Sequence, residues 1–207
     1  NGDTPLDTFQ NRLEADGATG TRLFQTPGTA WGAMPTSGSA TFNGSAAIII
    51  DRNINRDADD LLILGDTQLT ANFGTGTMSG TIDNMTGATN MTGATNMTSD
   101  SANIHDVSGQ ISIGGAGSII GDDEDDNFTS RPNDWYADYY GNIGLNGNTY
   151  EVEGSLNGQF VGTRSNPSNG QSVVRGVIGV SDNGSATING QNEVNEAAVS
   201  MELFGEN

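Results

Sequence analysis

From residue 38 onward, hydrophobic and polar residues alternate along most of the chain, and short clusters of Gly, Asn and Asp interrupt the alternation. A period of two puts every second side chain on the same face of an extended segment, so each run is a candidate strand with one face to bury. The clearest case is residues 69–82, LTANFGTGTMSGTI, where an alternating run meets a Gly-Thr-Gly turn and a second run returns. That pattern predicts a β-hairpin. The same reading predicts strands over residues 38–50, 61–73, 77–83, 107–113, 118–120, 141–145, 149–160, 172–180, 185–189 and 197–204. Asn146-Gly147, Asn157-Gly158 and Asp182-Asn183-Gly184 read as turns between the later ones. About eight to ten antiparallel strands joined by hairpins predict an all-β fold, an antiparallel up-and-down β-barrel of about eight strands, with a β-sandwich as the alternative.

Ahead of the strands the period changes. Thr4 is placed to cap a helix, Pro5 suits its first position, and Asp7 sits where a capping-box acid reaches back. Leu6, Phe9 and Leu13 then share one helical face and Gly17 is placed to end it, so a short helix is expected over residues 5–16, closing one end of the barrel. Two parts follow: residues 1–33, an N-terminal extension with this helix that could act as an assembly or plug segment, and residues 34–207, the barrel. Leu23, Phe24 and Trp31 lie in Gly/Thr-rich surroundings within the extension and are candidate protein contacts, of the kind that add to a neighbour's exposed strand edge.

Residues 84–98 read NMTGAT, NMTGAT, NMT. Fewer than three full copies fall short of the roughly three rungs a β-helix needs, so an insertion in a hairpin loop is expected. Each copy holds an Asn-Met-Thr sequon, and Asn127-Phe128-Thr129 is another; both glycan acceptors and chance in an Asn/Thr-rich chain fit them.

Composition narrows the function classes. The 207 residues include 30 Gly and 33% hydrophobic residues, enough in this arrangement for one core rather than a disordered chain. Against 26 acids stand 7 basic residues, all Arg, for a net charge of −19. Such a surface repels nucleic acid and anionic lipid, and stays soluble in salty surroundings. Cys is absent, which removes disulfides and thiolate metal sites, and no apolar run reaches the length of a membrane-spanning helix. The reading is a mature chain, extracellular or on the outer cell surface after removal of an export signal.

MPTSGSATFNG (34–44), the hairpin at 69–82, GSLNGQFVG (154–162) with VVRGVIGV (173–180), and the terminal MELFGEN (201–207) together resemble the transferrin-binding-protein-like β-barrel family, barrels carried by bacterial surface lipoproteins. The chain departs from the family at Thr163-Arg164-Ser165-Asn166, where a Pro/Ala/Glu run is usual, and it lacks the lipid-bearing Cys. The resemblance implies a non-catalytic surface barrel and, as an alternative to a self-assembling subunit, a receptor-type barrel that captures an iron-carrying protein or a small ligand. Loops outside such scaffolds choose the partner, so its identity does not transfer.

Two acidic segments are candidate Ca²⁺ sites. Residues 51–60 place oxygen side chains at alternate positions (Asp51, Asn53, Asn55, Asp57, Asp59), but Arg56 and Leu62 stand where an EF-hand has Gly and Glu. Residues 122–126 pack five acids, of which Asp122, Asp123 and Asp125 are the named candidates. A solvated loop is the alternative for both. Trp135, Tyr136, Tyr139 and Tyr140 form an aromatic cluster that either contacts a protein or packs the barrel. His105 is the only His; Asp106 and Ser108 are near it in sequence, yet no nucleophile elbow accompanies them, and a non-enzymatic protein is expected.

Overall fold

The computed structural model describes residues 4–52, 60–91, 103–115, 117–121, 131–165, 172–189 and 197–207. One helix, α1 (Pro5–Phe24), precedes nine strands: β1 (Ser39–Asp51), β2 (Asp60–Asn72), β3 (Thr77–Met91), β4 (Ile104–Gly114), β5 (Ile119–Ile120), β6 (Asp134–Leu145), β7 (Asn148–Ser165), β8 (Ser172–Ile188) and β9 (Ala197–Glu206). Each long strand pairs antiparallel with its neighbours in sequence, β9 returns to β1, and β4 pairs with β6. The result is a closed eight-stranded up-and-down barrel, with the two-residue β5 attached to the start of β6. Closure pairs both sides of every long strand, which removes the open edges that invite other chains.

The alternation seen in the sequence becomes the wall of the barrel. Phe42, Ile48, Ile63, Leu69, Ile111, Ile143, Val152, Phe160 and Leu203 face inward and are fully buried in one core that also holds Trp135 and Tyr139. The predicted hairpin forms with Leu69 opposite Gly80 and Asn72 opposite Thr77. The Asn72 Oδ1 accepts from the N–H groups of Gly74 (3.0 Å) and Thr75 (3.1 Å) and so fixes the turn. Asn146 and Gly147 both take positive φ, 50° and 80°, as a two-residue hairpin turn requires.

Two predicted turns are strand interior instead. Asn157-Gly158 lies inside β7, and Asn183-Gly184 inside β8 at a register shift. The glycines there make room for rings rather than for reversals. A Cβ at Gly158 or Gly179 would run into the Trp135 ring, and one at Gly154 or Gly184 into the Tyr139 hydroxyl. The repeat segment also differs from a pure loop insertion: its first copy is part of β3, which continues to Met91, while residues 92–98 lie outside the described residues.

α1 starts where predicted, with Thr4 and Asp7 forming a reciprocal capping box behind Pro5. It then runs past Gly17 to Phe24 and lies on the outside of the wall, where closure of a barrel end was expected. Phe9 and Leu13 pack on Leu62, Leu64, Ala88 and Ile49, and Leu23 packs on Val161 and Phe204. These are outward positions, apolar because the helix covers them. Burial of Phe9 and Leu23 is worth about 1.5–3 kcal/mol each, enough to offset roughly 1 kcal/mol for each helical Gly. Gly20 is also required by contact, since a Cβ there would sit 3.0 Å from the Phe204 ring. Arg12 bonds Asp66 (2.6 Å), and Arg22 forks onto Glu206 (3.0 and 2.8 Å), tying both halves of the helix to the wall.

What closes an end of the barrel is the segment after the helix. The Thr29 N–H donates to the Phe160 carbonyl (2.8 Å) and the Gly162 N–H to Pro27 (2.9 Å), which leads the chain over the rim. A short 3-10 turn, Trp31–Ala33, follows, and Met34 packs on the core beside Phe73 and Ile120.

Candidate functional site

The residues expected to make protein contacts separate into two groups. Leu23, Trp135 and Tyr139 are buried and are core material of the helix contact and the barrel. Burial raises the pKa of the Tyr139 phenol, an effect partly offset by its bond to Ser181 (3.3 Å). Phe24 (39% exposed), Trp31 (60%), Tyr140 (48%) and the half-buried Tyr136 reach the surface. Tyr140 donates to Glu151 (2.9 Å) and Tyr136 to Asp138 (2.7 Å) across the outer wall. The extension is not a free arm, because α1 and residues 27–29 are bonded to their own barrel.

Phe24 and the exposed Val180 line one shallow groove of about 310 Å³ on the outer wall, with Ile178 at its base and Asp134, Asn157 and Gln159 around it. Another groove, about 420 Å³, runs between α1 and the wall over Ala47, Leu64 and Phe204. A third, about 440 Å³, lies beneath Trp31 beside Pro35, Phe73 and Pro132.

Of the Ca²⁺ candidates, Asn53, Asn55, Asp57, Asp59, Asp122, Asp123 and Asp125 lie outside the described residues. Asp51 sits at the end of β1 in outward register, two positions from the outward Ile49. No group of three His, Cys, Asp or Glu side chains converges on a common point among the described residues. His105 and its sequence neighbours divide as alternation requires, with Asp106 and Ser108 exposed and His105 on the face of the buried Val107.

The residues that sequence reasoning missed lie at the end of the barrel opposite the Met34 plug. There the inward register continues beyond the last apolar layer: Ile48 and Ile50 lead to Arg52, Met85 and Gly87 to Thr89, Val107 back to His105, and Val152 and Tyr150 back to Asn148. These polar groups, with Asn103, Leu145 and Asn146, line a pocket of about 350 Å³ in the mouth. Thr89 donates to the Asn103 carbonyl (3.3 Å), and Asn189 to the Asn148 Oδ1 (3.0 Å). One signal could have located them: a polar residue in step with the buried period, one or two places past its last apolar member. Comparison of the chain with known protein families, with curated proteins and with solved structures gave no match.

Proposed function

We propose that this is a non-enzymatic barrel of the cell exterior that works through protein contacts on its outer wall, as a subunit that packs with copies of itself once salt screens its charge. The observation that carries this reading is the groove shared by Phe24 and Val180, two exposed large apolar side chains within a polar rim of Asp134, Asn157 and Gln159. An apolar centre inside a polar rim is the anatomy of a protein contact. The closed wall directs assembly to side-chain contacts rather than strand addition.

The test is native mass as a function of protein concentration in about 0.15 M salt or more, where the screening length is about 8 Å or less. Assembly should appear, and a Phe24→Ser, Val180→Ser double variant should remain monomeric with its fold intact. A monomer of 21.4 kDa at every concentration would remove the self-packing role.

A further inference from the structure

We propose that the cleft between α1 and the barrel wall binds a small amphipathic amine, an ammonium group on an apolar body, with its charge held by Asp16 and Glu202. The cleft has about 420 Å³, within the range of small-molecule sites. It shares only Phe24 with the groove at Val180, so it does not depend on the outer-wall contact proposed there.

The spacing of the helix leaves this space open. Leu13, Gly17, Gly20 and Phe24 follow one another at intervals of three or four residues and so share one flank of α1. Large side chains stand at both ends of that flank, and glycines stand between them. Beneath lie outward residues of three strands: Leu64 of β2 is paired with Ala47 of β1, and Ser45 of β1 with Phe204 of β9. Gly20 is accounted for by the Phe204 ring, but a Cβ at Gly17 would meet nothing within 4 Å, so packing does not require glycine there. Glycine weakens a helix, and what it preserves at residue 17 is the hollow between Leu13 and Phe24.

The charge of the lining selects a cation. Its ionisable side chains are Asp16 and Glu202, and no residue of the described lining is basic. Asp16 accepts from the Ser45 hydroxyl (2.9 Å). Its ion-pair partner Arg12 stands at 3.5 Å, because that guanidinium is bonded to Asp66 (2.6 Å) and to the Asn84 carbonyl (3.1 Å). Glu202 is exposed at the rim and has no hydrogen bond or ion pair among the described residues. It lies opposite Ala47, the next outward residue after Ser45, so both carboxylates sit over one stretch of β1 and attract the same ammonium.

The rest of the lining selects an organic cation over a metal ion. Two carboxylates fall short of the about six to eight oxygens that Ca²⁺ takes, and no third acid or His converges on them among the described residues. Leu64, Ala47 and Phe204 suit an apolar body rather than a hydrated ion. Aromatic rings such as Phe24 and Phe204 also attract an ammonium over their faces.

The test titrates the full chain with hexylammonium, hexanol, hexanoate and ethylammonium at constant ionic strength, using calorimetry and ligand-observed NMR. Hexylammonium should bind saturably at roughly millimolar strength or tighter, about tenfold or more above ethylammonium, which lacks the apolar body, and hexanoate, which inverts the charge. Gly17→Leu, which fills the hollow, should weaken hexylammonium and hexanol alike by about tenfold, with helix content and melting temperature retained. Glu202→Gln should weaken hexylammonium about threefold and leave hexanol and the melting temperature unchanged, because Glu202 bonds nothing in the fold. Neither variant replaces Phe24 or Val180, so loss of amine binding and loss of self-packing are read separately. No saturable binding of hexylammonium at about 20 mM, well above the millimolar scale, overturns the proposal. So does hexanoate or ethylammonium binding as well as hexylammonium. Binding that Gly17→Leu leaves unchanged overturns it by placing the amine elsewhere on the acidic surface, and binding that Glu202→Gln and Asp16→Asn both leave unchanged overturns the recognition of charge on which it rests.

Discussion

At the scale of single residues, glycine carries two opposite meanings in this chain, and only the surroundings tell them apart. Gly147 supplies a positive φ to a hairpin turn and was legible as such, whereas Gly158 and Gly179 are flat spots on which the Trp135 ring lies. The sequence signal at Gly158, Asn-Gly among polar residues, is that of a turn, and what overrides it is a ring from β6, remote in sequence. Gly158→Ala should therefore overpack the core and cost about 1–3 kcal/mol in stability, read from the denaturant midpoint, while the fold is retained. Gly17→Ala should do the reverse. Gly17 sits inside α1, and a methyl group placed on its Cα would have nothing within 4 Å, so Ala should add up to about 1 kcal/mol through helix propensity alone.

At the scale of elements, the start of α1 was written locally and its end was not. Thr4, Pro5 and Asp7 specify the first turn by bonds within the helix, and the Thr4 contacts hold the Asp7 carboxyl below its usual range. The last two turns depend on Phe204, Val161 and Glu206, which follow in sequence by more than a hundred residues, so Gly17 looked like a stop. For the same reason the outward Ile49, Leu62 and Leu64 read only as strand residues, although they are the bed of the helix. Removing residues 1–30 should expose that bed, and the truncated chain should aggregate or melt well below the full chain. The Arg22 contact also gives a pH signature. Hydrogen bonding from Arg22 lowers the Glu206 pKa from its ordinary 4.5, with the Arg22 and Arg175 charges acting the same way against partial burial. A depressed carboxylate pKa contributes stability that is present above the unfolded value near 4.5 and is lost as pH falls through the lower folded value. The pair is part exposed, so screening limits it to about 0–1 kcal/mol. Glu206→Gln should lower the melting temperature slightly at pH 7 and make no difference at pH 2, and thermal melts across that range will show whether the two curves converge.

At the scale of the whole molecule, the barrel was legible because closure needs only what alternation and turn spacing record, while the mouth was not. Arg52, Thr89, His105 and Asn148 are polar residues next to turns, and in sequence they look like the loops they adjoin; only the closed sheet shows that they point inward. Net charge acts at the same scale. With −19 on one 21.4 kDa chain, repulsion opposes the compact state and is screened over about 8 Å at 0.15 M salt, so the melting temperature should rise from low salt to that range and then flatten. Ca²⁺ separates screening from binding. If residues 51–60 or 122–126 hold a divalent ion, millimolar Ca²⁺ should raise the melting temperature beyond what NaCl does at the same ionic strength, by a shift that saturates with concentration and disappears with chelator. Replacing Asp57 and Asp59 by Asn, and separately Asp123 and Asp125, should then assign the shift to one segment. Identical melts in NaCl and CaCl₂ at matched ionic strength would reduce both segments to solvated charge, and the salt response to screening alone.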